Sequence, residues 1–93
     1  MAWTNREILD GWKRLSVAKL SQAWRDANLH PNLHWGKMAK NLLMEKTNYW
    51  KEGLEYWCTY AELSPDVIVS RSVYREENNL WGVGNWWDET FRD

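Results

Sequence analysis

A chain of 93 residues makes one small domain, residues 1–93, which buries about two-thirds or less of the surface its unfolded form exposes. Its formal net charge of −1 excludes a generally cationic nucleic-acid or membrane binder, and its lone cysteine, Cys58, excludes an intrachain disulfide. Nine Trp, four Tyr and one Phe are more ring than so small an interior encloses at roughly 150–250 Å² per buried ring, so surface-exposed rings, and hence a binding role, are expected.

The first residues, Met-Ala-Trp-Thr-Asn-Arg-Glu, hold no apolar segment of the signal-peptide kind, and no apolar run approaches membrane-spanning length. The expected location is the cytoplasm, of a microbe or of a virus infecting one. Charge is unevenly spread: residues 1–46 carry eight Lys/Arg against four Asp/Glu, and residues 47–93 carry four against nine. The halves stand at +4 and −5, facing each other or facing different partners.

Thr4 with Glu7 fits a capping box, which starts a helix at Asn5. Apolar residues recur at Ile8, Leu9, Trp12 and Leu15, then at Leu20, Ala23, Trp24 and Ala27. On one straight helix Lys19 falls within that stripe, so the pattern predicts a break near Ser16 and two helices, about 5–15 and 17–28. Alternatively, Lys19 lays its stem along the core and extends its ammonium outward. Pro31 pushes His30 out of helical geometry and Asn32 suits a cap, so residues 29–32 form a connector. A third helix follows at about 33–46, with Trp35, Met38, Ala39, Leu42 and Leu43 on one face and Lys37, Lys40 and Asn41 on the other.

From Thr47 two patterns compete. Trp50, Leu54, Trp57, Cys58 and Ala61 keep helical spacing, while Tyr-Trp-Cys-Thr-Tyr at 56–60 favours a strand and alternates apolar with polar positions. Residues 67–74 are rich in β-branched side chains, and Glu76-Glu77-Asn78-Asn79 reads as a turn. The expected fold is α+β: the N-terminal helices packed on a C-terminal three-stranded antiparallel meander at about 54–61, 67–75 and 80–87. The alternative is all-α.

The leading candidate site is the tail, Trp81-Gly82-Val83-Gly84-Asn85-Trp86-Trp87. Neighbouring strand residues point to opposite faces, so Trp86 and Trp87 do not enter one core without a bulge, and one ring is expected outside. With Tyr74 or Tyr56 it makes an aromatic platform for a protein partner, rimmed by Glu76, Glu77, Asp88 and Glu89. In the contrary reading both rings clamp the sheet onto the helices. Gly82-x-Gly84 lacks the third glycine and the lysine of a phosphate loop.

The alternative site is basic. Two helices joined by a short connector, the second displaying His34, Lys37, Lys40 and Asn41 with Arg14 nearby in sequence, have the outline of a helix-turn-helix for nucleic acid. A solvated αα-hairpin has the same outline. His30 and His34 are spaced like zinc ligands, but Pro31 keeps them off a common face. Cys58 within an aromatic run is expected to be buried and inert, and the paired acids lie in solvated turns. No metal, no cofactor and no catalytic activity are expected. The expected function is a small adaptor or inhibitor docking on a larger macromolecule, most readily a protein, with a homo-oligomer subunit as a third reading.

Overall fold

The computed structural model describes residues 2–86. Among them are four helices and no strand: α1 (Asn5–Leu29), α2 (His34–Leu43), α3 (Asn48–Ala61) and α4 (Pro65–Glu77). The expected meander is therefore absent, and the all-helical alternative is the observed architecture.

Helix α1 starts where its cap dictates, the Thr4 hydroxyl accepting the Glu7 N–H at 3.1 Å. It then runs unbroken for 25 residues, so the break near Ser16 does not occur. One straight helix tolerates Lys19 because its buried face is Ser16, Leu20, Ala23, Trp24, Ala27 and Asn28, from which Lys19 is rotated away into solvent. Ile8, Trp12 and Leu15 remain exposed and are not part of that buried face. After His30, which caps the helix by donating its backbone N–H to the Asp26 carbonyl at 2.9 Å, the chain turns at Pro31. Leu33 rather than Asn32 then occupies the cap of α2, with no side-chain hydrogen bond.

Gly36 decides how closely α2 approaches. A Cβ there would lie 1.7 Å from the His30 carbonyl oxygen, so only glycine lets the first turn of α2 lie against the end of α1. Helix α2 ends at Leu43, short of Lys46, since Glu45 takes a left-handed backbone (φ 50).

The segment expected as the first strand is α3. Leu54, Cys58 and Ala61 are buried at helical spacing, and that burial outweighs β preferences of a few tenths of a kcal/mol per residue. The second expected strand is α4, which Pro65 opens at its first position, with Asp66 in the first turn. Its buried residues, Ile68, Ser72 and Arg75, again follow the helical period. The third expected strand is a turn: Asn79 (φ 55), Gly82 (φ 81) and Gly84 (φ 74) are left-handed and rule out an extended chain over residues 79–84. Trp87 lies outside the described residues.

The core joins Leu20, Ala23, Trp24 and Ala27 of α1 to Ala39 and Leu43 of α2, Leu54, Cys58 and Ala61 of α3, and Ile68 of α4. It begins at Ser16. Residues 2–15 are all exposed, so the first half of α1 projects as an arm, in keeping with overall dimensions of 49 × 29 × 23 Å. Two contacts tie the arm to the end of α3: the Trp12 and Tyr60 rings 5.6 Å apart, and Lys13 with Glu62 at 3.1 Å.

A candidate partner-binding surface

Of the eight tryptophans among the described residues, only Trp24 is buried, at 3% exposure. Trp3, Trp12 and Trp35 are exposed, and Trp50, Trp57, Trp81 and Trp86 are half-buried. The surplus of rings therefore does reach solvent, and the question is where it forms a continuous surface.

It does so in a groove between α1, α2 and the start of α3. Trp35, Met38 and Leu42, spaced i, i+3 and i+7 on α2, form one wall; Ala23 of α1 lies at the floor, and Trp50 of α3 closes one side. Lys19 and Asp26 edge the groove, the latter held by the Gln22 amide at 2.8 Å. Trp35 makes an edge-on contact with His30, centroids 5.7 Å apart. The periodicity of α2 places Trp35 and Met38 on its apolar side, where sequence alone reads them as core. Both are exposed instead, while Gly36, Ala39 and Leu43 are the residues of α2 that are buried.

A second aromatic strip runs along α3, Tyr60 meeting Tyr56 at 5.2 Å and Tyr56 meeting Trp57 at 5.1 Å, and continues to Trp12 on the arm. Tyr56 and Trp12 are exposed.

The tail is arranged differently from the expected platform. Trp81 and Trp86 pack against the core, and their segment is bound to both α1 and α4. The Trp24 indole donates to the Trp86 carbonyl at 2.8 Å, and the Gly82 N–H donates to the Asn28 side-chain oxygen at 2.9 Å. The buried Arg75 guanidinium donates to the carbonyls of Leu80 (2.7 Å) and Val83 (3.2 Å) while stacking over Trp24 at 5.3 Å. Trp81 meets Trp24 edge-on at 5.7 Å and donates its N–H to Glu76 at 2.6 Å. Of the expected acidic rim, Glu76 is thus engaged within the molecule and Glu77 is exposed beside the exposed Tyr74. Asp88 and Glu89 lie outside the described residues.

The basic set is scattered. Arg14 is on the arm; His34 and Lys37 are exposed on α2, and Asn41 shares their side at half burial. Lys40 turns the other way, 3.9 Å from Glu76 and 5.7 Å over the Trp81 ring.

Cys58 is buried on α3. Burial, with Glu45 and Glu55 adding to it, pushes its thiol up from 9.0 to about 11, so it stays protonated and a poor nucleophile at neutral pH. Among the described residues no three His, Cys, Asp or Glu side chains come together as metal ligands, and no helix is long and apolar enough to cross a membrane. Comparison with protein-family models, with curated proteins and with solved structures finds no match to this chain.

Proposed function

We propose that this chain is a non-enzymatic binding module that docks on a protein partner through the groove of Trp35, Met38, Leu42 and Trp50. One observation carries the reading: a half-exposed indole, in edge-on contact with His30, stands at an apolar groove with a polar rim. Interface energy concentrates on rigid aromatic anchors that a partner desolvates, surrounded by polar residues that exclude water. The partner surface that fits is a helix ridge or apolar side chain laid along α2, as when an amphipathic helix lies in a groove. Adaptor and inhibitor roles both use such a contact. A thiol kept reduced and buried suits the cytoplasm as the working compartment.

The reading shifts the contact from the C-terminal stretch to α2, since the indoles of Trp81 and Trp86 pack inward. The test is capture of partners from the native host by wild type and by Trp35→Ala, both with folded circular dichroism spectra and both nuclease-treated. Loss of the captured protein with Trp35→Ala, a drop of at least about thirtyfold in affinity, is the expected result; equal capture overturns it.

Nucleic-acid binding by α2 is the second reading, favoured by the common side shared by His34, Lys37 and Asn41. It predicts affinity that falls steeply with salt, whereas the apolar groove predicts a weak salt dependence.

A further inference from the structure

The arm of α1 is an odd piece of helix. Each residue from Asn5 to Leu15 is exposed, and yet Ile8, Leu9, Trp12 and Leu15 lie there with 39% to 59% of their surface in solvent. Ile8, Trp12 and Leu15 follow one another at spacings of four and three, so they form a stripe on one side of the helix. Gly11 borders that stripe. It has no need of glycine on its own account: its backbone is not left-handed, and a Cβ built there meets nothing within 4 Å. An interior helical glycine costs roughly 1 kcal/mol relative to alanine, so within the single chain Gly11 is a loss with no return. What a glycine permits on a helix surface is close approach of another backbone.

The charges say which backbone. Glu7 and Arg14 flank the stripe on its Gly11 side, seven residues or about two turns apart, and neither is ion-paired among the described residues. Gly11 stands within half a residue of the midpoint of Glu7 and Arg14 on one side and of the midpoint of Ile8 and Leu15 on the other. The arm is thus self-complementary about Gly11. Turned end for end and laid on itself, it sets Ile8 against Leu15 and Trp12 over Gly11, and brings Glu7 within two residues, about 3 Å along the axis, of Arg14, each twice. A parallel arrangement sets Glu7 against Glu7 and Arg14 against Arg14, and also aligns the two helix dipoles unfavourably.

We infer that two copies of this chain pair through an antiparallel, two-fold crossing of their α1 arms at Gly11. The contact is isologous and closes on itself, as most homodimer interfaces do. Three partly exposed apolar side chains per copy, with their flanks, fall at or below the small end of specific interfaces, about 1,200 Å². The dimer is accordingly weak, with dissociation in the micromolar range or above. This inference is independent of the groove reading, since the groove begins at Lys19, beyond the arm.

Sedimentation velocity over about 1–300 µM, a span chosen for an interface of this size, tests it on the full chain. Wild type shifts from monomer to dimer, and Trp35→Ala does the same. Gly11→Gln puts a long side chain at the crossing while improving helix propensity, so it raises the melting temperature of the monomer and weakens the dimer by about tenfold or more. Glu7→Arg weakens it also, and the double variant Glu7→Arg/Arg14→Glu restores it, because only the antiparallel register pairs position 7 with position 14. A wild type that stays monomeric throughout, a dimer untouched by Gly11→Gln, one that the double exchange does not rescue, or one abolished by Trp35→Ala overturns the proposal.

Discussion

Several side chains here act through one atom or through its absence. Gly36 is the sharpest case, since the hydrogen it carries in place of a methyl group is what lets α2 lie against the carbonyl of His30. Because that neighbour is backbone and is itself held by hydrogen bonds, it has little room to yield. Gly36→Ala is expected to cost about 3 kcal/mol, the upper end of overpacking penalties, and a urea titration followed by circular dichroism measures it. Gly11→Ala, by contrast, meets open space. Cys58 makes a different prediction. Its folded pKa of about 11 lies above its ordinary value of 9.0, so the folded chain holds a proton that the unfolded chain gives up first. The stability this contributes is complete below pH 9 and is lost as pH rises through about 11. Cys58→Ala should therefore show a smaller fall in urea midpoint across that window than wild type, and wild-type thiol alkylation should be much slower in the native than in the unfolded chain.

Among the helices, what was legible in the sequence was what is local. Thr4 and Glu7 mark the start of α1 because a cap needs only neighbours three residues apart, and Pro31 marks its end for the same reason. The error over α4 has an identifiable cause. Its buried residues are Ile68, Ser72 and Arg75, two of them polar, so the hydrophobic pattern conceals the side that faces inward. The β-branched Val67, Val69 and Val73 then dominate the reading. Ser72 is accommodated by donating its hydroxyl to the Ile68 carbonyl at 2.7 Å, and Arg75 by donating to carbonyls of the chain that follows. Neither partner is visible before the fold is known. The candidate surface was half legible: the excess of aromatic rings follows from composition, but which of them stay uncovered depends on how the helices pack. Arg75→Ala tests how the tail is held. It leaves the Leu80 and Val83 carbonyls without a charged donor and removes the stack on Trp24, so a loss of about 2–4 kcal/mol is expected. Limited proteolysis, beginning after residue 78 in the variant and not in wild type, locates the released segment.

Taken as a body, the chain has a packed end and a bare end. The four helices meet around Leu20, Trp24, Leu43, Leu54 and Ile68, while the arm of α1 lies outside that core and is tied to the end of α3 through Trp12 and Lys13. This division sets the pattern of local opening. Amides of residues 5–15 are expected to exchange with solvent far faster than those of residues 20–27, since few apolar contacts hold the arm in helical form. Hydrogen exchange read by mass spectrometry checks this, and at concentrations where two copies pair, the arm alone should gain protection.

Trp24, the one indole fully enclosed among the described residues, carries a spectroscopic consequence. Of the other described tryptophans, Trp3, Trp12 and Trp35 are exposed while Trp57, Trp81 and Trp86 pack partly against the core, so native emission should hold several components of graded exposure. Acrylamide should quench these components in order of exposure, leaving the most shielded for last. Trp24→Phe should remove only the small blue, quencher-resistant component, which makes that component the optical reporter of the seal between the first helix and the end of the chain.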